Sequence, residues 1–111
     1  MRDSLEALRA TGADPKSLFA IGGGSASHYW LKLIATVLNI PLKLPAGGEF
    51  GAALGAARLG QLAASNADPT TVLTTPEVAT VIEPDATLVA AYNAAYQHYK
   101  TAYPMLKKLQ R

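Results

Sequence analysis

The chain has 111 residues, enough for one small domain with a single hydrophobic core. It contains no cysteine, which excludes disulfides, thiolate catalysis and cysteine metal sites. The formal net charge is only +2, and four of the ten basic residues lie after position 99, so we expect no nucleic-acid partner. No apolar run is long enough to span a bilayer and the N-terminus lacks a targeting pattern, so we expect a cytoplasmic protein without a membrane partner.

The first half of the chain predicts alternating helices and strands. A first helix ends near Gly12, and the apolar run Leu18 to Ile21 predicts a strand. A helix from about Ser25 to Leu38 follows, and residues 40–44 predict a second strand. Because short connections join the strand, the helix and the second strand, we expect a right-handed crossover and a parallel pair.

Apolar side chains surround most of the helix from Ser25 to Leu38. Trp30 and Leu33 recur at helical spacing on one side, and Tyr29 makes the other side apolar too. A helix that is apolar on most of its circumference is expected to be buried on most of it.

Small residues dominate the next helix, which is predicted from Glu49 to about Ala64. Gly51 and Gly55 lie one helical turn apart. Glycine inside a helix costs roughly 1 kcal/mol relative to alanine, so two glycines indicate that a neighbouring backbone comes very close.

The remaining residues predict a polar segment followed by a long helix. Residues 65–76 predict a surface loop, 78–82 a brief extended stretch, and 85–103 a C-terminal helix that Pro104 interrupts or ends. One stripe of this helix is apolar and aromatic, and we expect it to pack rather than to bind a ligand; it comprises Leu88, Tyr92, Ala95, Tyr96, Tyr99 and Tyr103.

A run of glycines directly after the first strand is the strongest functional signal. Gly22, Gly23 and Gly24 separate the strand from the helix, at the place where α/β proteins bind ligands. Without a Cβ atom the backbone adopts positive φ and allows a ligand to approach closely. Unpaired N–H groups and the dipole of the helix favour an anion there, so the turn predicts a nucleotide phosphate or ribose.

Two other interpretations of the glycines remain open on the residues alone. Any tight connection between a strand and a helix can use glycine for structure. The other is a Rossmann dinucleotide site, whose motif is Gly-x-Gly-x-x-Gly. Gly22 and Gly24 fit its first two glycines, but Ser27 stands in place of the third, and no acidic residue follows at the distance expected for a ribose contact.

The other polar side chains predict no catalytic or metal site. His28 and His98 have no carboxylate or second histidine at metal-ligand spacing. Ser25 and Ser27 lack an evident histidine and acid beside them, and Ser25 is expected to cap the helix.

Two stretches together resemble a known family. IGGGSASHYWLKLIATVLNIPL, followed by GGEFGAALGAARLG, resembles the C-terminal domain of the FGGY family of carbohydrate kinases, and its xylulokinase-like branch in particular. The resemblance implies part of a ribonuclease-H or actin-like ATPase fold with short parallel strands. It also implies ATP-dependent phosphorylation of a sugar hydroxyl, D-xylulose to xylulose 5-phosphate, with an ATP–Mg²⁺ complex held mostly by this lobe.

The resemblance assigns roles to the glycine turn by position. The backbone of Gly23 would lie against the nucleotide, the hydroxyl of Ser27 would reach the adenine, and Gly22 and Gly24 would clear space. Some relatives have asparagine where this chain has Ser27.

The same resemblance places the catalytic aspartate, the sugar-binding residues and the Mg²⁺ ligands outside this chain. Residues 1–111 are therefore expected to be a fragment of that C-terminal domain, inactive alone, because phosphoryl transfer depends on positioning by both lobes. The alternative is a stand-alone, non-catalytic nucleotide-binding or regulatory module.

The partners that follow are ATP or ADP, and a sugar bound through the missing N-terminal lobe. The predicted strands with apolar helices make an incomplete sheet, whose unpaired apolar surface predicts self-association of the chain.

Overall fold

Helices and short strands alternate along the chain in the computed structural model, which describes residues 1–48 and 51–109. The helices are α1 Arg2–Ala10, α2 His28–Leu38, α3 Gly51–Ser65, α4 Pro69–Val72 and α5 Ala86–Leu109. The strands are β1 Leu18–Phe19, β2 Leu42–Pro45 and β3 Val78–Ile82, and a 3₁₀ turn spans Gly23–Ala26. Within the described ranges, no helix combines the length and the hydropathy that crossing a membrane requires.

The strands form one sheet in the order β1-β2-β3. β1 lies parallel to β2, with Leu18 opposite Leu42, which confirms the predicted parallel pair. β3 lies antiparallel to β2, with Ile82 opposite the same Leu42. The sheet is therefore mixed rather than only parallel, because the extended stretch after the polar segment returns in the opposite direction and pairs with β2.

The core lies between α2 and the sheet. Leu31 and Ala35 of α2 pack against Leu42 and Ile82 of the strands. A second cluster joins the end of α2 to α1 and to the short segment before β2, through Leu5, Leu38 and Ile40. This arrangement places the N-terminal end of α2, and the glycine turn before it, at the edge of the sheet where β1 ends.

The exposed residues of α2 are confined to its first turn, while residues 31–38 are all buried or half-buried, which agrees with the prediction that most of its circumference is buried. Tyr29 is 77% exposed and Trp30 is 47% exposed. The apolar pattern shows where a helix can be buried, but the described part of the chain leaves this first turn open.

The small-residue face of α3 is also largely uncovered. No described residue of α3 is buried. A Cβ atom at Gly51 would lie 2.9 Å from Cδ1 of Ile21, whereas one at Gly55 would meet no atom within 4 Å. The expected close backbone neighbour is therefore absent at both glycines among the described residues, and Gly51 contacts a side chain instead. Glu49, where the sequence predicts the helix to begin, lies outside the described residues.

The polar segment 65–76 contains α4 within the predicted loop. Asp68 caps α4, since its carboxylate accepts a hydrogen bond from the N–H of Thr70 over 2.8 Å. A proline at the first helical position fixes φ where no donor is needed, so this short turn is favoured locally.

α5 continues through Pro104 to Leu109, which corrects the predicted end at residue 103. Pro104 removes one hydrogen bond, that to the carbonyl oxygen of Lys100. Residues 97–109 are exposed, so water can bind the carbonyl and the helix continues.

The tyrosine stripe of α5 is only partly packed. Tyr96 is half-buried, and its hydroxyl donates to Oδ1 of Asp3 over 2.5 Å while the guanidinium of Arg2 lies 4.4 Å from its ring centroid. Tyr99 and Tyr103 are 65% and 71% exposed. Within the described chain, Tyr96 therefore connects α5 to α1.

Candidate functional site

The glycine turn follows β1 and has one residue with positive φ. Gly22 has φ +89° and ψ 176°, a region that is accessible to glycine and strained for other residues. Gly23 and Gly24 belong to the 3₁₀ turn and do not have positive φ. The sequence therefore predicts the need for glycine correctly, and the structure restricts the conformational need to Gly22.

Ser27, and not Ser25, caps the helix that follows the glycine turn. The hydroxyl and the N–H of Ser25 both donate to the carbonyl oxygen of Gly22, over 2.7 and 2.9 Å. Oγ of Ser27 accepts from the N–H of Trp30 over 3.3 Å, and Ser27 is the N-cap of α2. The prediction that Ser25 caps the helix is wrong, because the 3₁₀ turn moves the start of α2 to His28.

The backbone of the turn is open to a ligand. A Cβ atom at Gly23 would meet nothing within 4 Å, and one at Gly24 would lie 3.8 Å from Cδ1 of Trp30. Gly23, Gly24 and Ser27 are exposed. The bond from Trp30 uses a lone pair of the Ser27 hydroxyl, so the O–H group remains able to donate to a ligand.

A second turn supports the first. The N–H of Gly22 donates to the carbonyl oxygen of Gly48 over 3.0 Å, so the turns that follow β1 and β2 are bonded to each other. Sequence reasoning missed Gly48. The signal was present, since two parallel strands that each end in glycines bring both turns to one edge of the sheet.

A groove adjoins the two turns. It has a volume of about 260 Å³, a little below the roughly 300 Å³ at which ligand pockets begin. Its lining is mostly apolar and includes Phe19, Ile21, Pro45, Gly51, Leu54 and Arg58. The guanidinium of Arg58 donates to the carbonyl oxygen of Thr74 over 3.0 Å and so fixes α3 to the segment before β3.

Two aspartates serve as helix caps. Asp68 and Asp85 accept from the hydroxyls of Thr70 and Thr87, over 2.7 and 2.6 Å. These hydrogen bonds, together with those from the N–H groups of the same threonines, hold the pKa of each aspartate below its usual value. Both carboxylates are therefore charged at neutral pH and stabilise helix starts.

The remaining aspartates have local partners as well. Asp14 pairs with Lys16, whose hydrogen bond and charge lower the pKa of Asp14, and Asp3 accepts from Tyr96. In residues 1–48 and 51–109, no three histidine, cysteine, aspartate or glutamate side chains converge to hold a metal ion. Each of these aspartates thus has a structural partner on a neighbouring threonine, lysine or tyrosine side chain.

An exposed glycine turn between a strand and a buried helix lies at the place where α/β domains bind ligands. The family model described as the FGGY family of carbohydrate kinases, C-terminal domain, matches residues 1–64. The chain belongs to this family.

Named relatives and solved structures agree with this assignment. The chain is 34% identical to the xylulose kinase of Escherichia coli K12, in a match that covers 98% of this chain and 23% of the relative. A crystal structure of a xyloylose (xylulose) kinase from Brucella ovis is 56% identical, with a TM-score of 0.83 over 97% of this chain and 22% of that one. A xylulose kinase structure from Rhodospirillum rubrum is 26% identical, with a TM-score of 0.74 over 97% of this chain and 22% of that one. The chain thus spans less than a quarter of the length of these relatives.

Proposed function

We propose that this chain is the nucleotide-binding part of an ATP-dependent carbohydrate kinase. The reaction would transfer the γ-phosphoryl group of ATP to a hydroxyl of D-xylulose and give xylulose 5-phosphate, in the cytoplasm where ATP is available. The observation that carries the proposal is the turn itself, in which Gly22 has φ +89° and the backbone at Gly23 is open. Membership of the family and the names of its relatives support the substrate.

The residues of the turn would bind and orient the nucleotide. The adenosine would lie against the backbone of Gly23, where no side chain stands in its way. The hydroxyl of Ser27 would donate to a ring nitrogen of the adenine while it caps α2. Gly22 would set the direction in which the turn leaves β1. These roles are positioning, which is most of what phosphoryl transfer requires of a protein.

Catalysis needs groups that the described residues do not provide. The base, the sugar contacts and the ligands of Mg²⁺ are assigned to no residue of this chain. We therefore expect residues 1–111 in isolation to bind ADP without turning over ATP and D-xylulose, because phosphoryl transfer also requires groups that position the sugar and the phosphates. ADP production that depends on D-xylulose, measured with the isolated chain in a coupled assay, would refute this expectation.

Nucleotide binding can be followed through Trp30, the single tryptophan. Its ring lies beside Gly24, since a Cβ atom at Gly24 would be 3.8 Å from Cδ1 of Trp30. Titration with ADP should change its fluorescence saturably, while titration with inorganic pyrophosphate should change it much less, since the base is the part placed on the turn. No saturable change with ADP, confirmed by calorimetry, would contradict the proposed function. ADP binding by the isolated chain as tight as by the complete gene product would favour the stand-alone module.

Self-association is a separate proposal about the isolated chain. β1 lies at one edge of the sheet formed by the described residues, and Phe19 and Ile21 at its end are 45% and 58% exposed. An exposed strand edge beside apolar side chains favours pairing with another copy. Light scattering at high concentration should therefore report a mass above that of a monomer, and a strictly monomeric mass would contradict the proposal.

A further inference from the structure

We propose that Gly51, at the start of α3, is a positioning residue for the glycine turn. This inference rests on the proposed nucleotide binding and goes beyond it, because Gly51 itself would not touch the ligand. Its part would be to leave room for Ile21, the residue immediately before Gly22, so that the turn keeps the geometry that accepts adenosine.

The contact between Gly51 and Ile21 leaves no space for a methyl group. A Cβ atom at position 51 would lie 2.9 Å from Cδ1 of Ile21 and 3.2 Å from its Cβ. Cδ1 can turn away, since Ile21 is 58% exposed. The Cβ atom is bonded to the backbone and cannot, so the backbone at Ile21 has to move by a few tenths of an ångström.

Such a movement also displaces Gly22, which directly follows Ile21. The N–H of Gly22 is held by the carbonyl oxygen of Gly48 over 3.0 Å. Gly48 packs closely beside the same segment, since a Cβ atom there would lie 3.0 Å from Cγ of Pro45 and 3.5 Å from the carbonyl oxygen of Ala20. A displacement of Ile21 therefore acts on the hydrogen bond between Gly22 and Gly48.

Gly55 provides a matched comparison on the same helix. It lies one turn further along α3, and a Cβ atom there would meet nothing within 4 Å. Replacing an interior helix glycine such as Gly55 with alanine stabilises the helix by roughly 1 kcal/mol, an effect that stays local to α3. The two substitutions differ in the contact with Ile21, so a difference between their effects on the turn comes from that contact.

The test compares Gly51→Ala and Gly55→Ala by amide NMR and by ADP titration. Gly51→Ala should move the amide resonances of Gly22, Gly23 and Gly24, and Gly55→Ala should leave them in place. In enzymes, misplacing a positioning group by about 1 Å lowers the rate by about 10²-fold. A displacement of the turn by a few tenths of an ångström should therefore lower the affinity for ADP by about tenfold. Gly55→Ala should bind ADP as the parent does.

A double-mutant cycle isolates the contact from any general effect on folding. In the background Ile21→Gly, which removes the opposing Cβ, adding Gly51→Ala should change neither the turn resonances nor the ADP affinity. Equal ADP binding and unchanged turn resonances for Gly51→Ala and Gly55→Ala in the original background would overturn the inference alone. If the parent binds no ADP, the proposed function fails, and the positioning role fails with it.

Discussion

The hydroxyl of Thr36 accepts a hydrogen bond from the backbone N–H of Asp85 over 2.9 Å and donates one to the carbonyl oxygen of Lys32 over 2.7 Å. Thr36 is only 2% exposed, so water cannot replace either partner. Asp85 is the residue directly before α5, and the bond therefore fixes the start of that helix on α2. The same α2 begins at the glycine turn, which makes its packing part of the support of the candidate site.

Replacing Thr36 with valine keeps the shape of the side chain and removes both hydrogen bonds. The N–H of Asp85 then loses its partner in a partly buried place, which should lower the free energy of unfolding by about 1–3 kcal/mol in urea denaturation. Thr36→Ser keeps the hydroxyl and loses one methyl group, so it should retain the bond to Asp85 and cost less. A valine variant as stable as the parent would contradict the importance of this bond.

Tyr96 should keep its proton to a higher pH than an ordinary tyrosine. Its hydrogen bond to the carboxylate of Asp3 is the main cause that raises its pKa from 10.0 to about 12. A pKa that is raised in the folded state adds stability that is complete below the unfolded pKa, near pH 10, and is lost as the pH rises through about 12. The stability difference between the parent and Tyr96→Phe should therefore shrink over that interval.

Absorbance of tyrosinate measures this directly. Tyr96→Phe should remove the latest step of the titration curve. Tyr103→Phe is the control, since Tyr103 is 71% exposed and its replacement should leave that late step in place. Identical late steps in the parent and in Tyr96→Phe would show that Asp3 does not hold this proton.

Acid should weaken the start of α5. The hydrogen bond from the hydroxyl of Thr87, and then that from its N–H, lower the pKa of Asp85 below the usual 3.8. The stabilisation is present above 3.8 and is lost as the pH falls through the lowered value. Asp85→Asn keeps a capping oxygen that does not titrate, so its melting temperature should fall less than that of the parent between about pH 5 and pH 2. Parallel decreases in the two proteins would contradict this prediction.

Alanine substitutions at Gly22 and Gly23 should distinguish a glycine that the backbone conformation requires from one that leaves room for the ligand. Gly22→Ala should destabilise the fold by about 1–3 kcal/mol, because φ +89° is strained for alanine. Gly23→Ala has room for its methyl group and should change stability by less than about 0.5 kcal/mol, yet weaken ADP binding. Denaturation and ADP titration of both variants check this, and Gly23→Ala with normal ADP affinity would place the nucleotide elsewhere.

The local elements could be predicted from the sequence because their signals are local. An apolar run before Gly22 and apolar residues at helical spacing after it are enough to predict strand, turn and helix. That Ser27 rather than Ser25 caps α2 was not predictable, because it depends on a 3₁₀ turn of a few residues. The exposure of Tyr29 was not predictable either, since periodicity identifies an apolar face and not the element that covers it.

The long-range support of the turn could be predicted only in part, because the sequence brings the two glycine turns to one edge of the sheet without giving the bond between them. The bond from Gly22 to Gly48 requires the parallel register of β1 and β2, which strand patterns alone do not fix. Gly51 was identified as needing a close neighbour, but spacing on a helix cannot show that the neighbour is Ile21.

The most direct measurement of the central claim is a titration of the labelled chain with ADP, followed by amide NMR. The account predicts that the largest saturable shifts fall on Gly22, Gly23, Gly24 and Ser27, with smaller ones on α2. Shifts that fall only on other elements, or no shifts at saturating ADP, would contradict it.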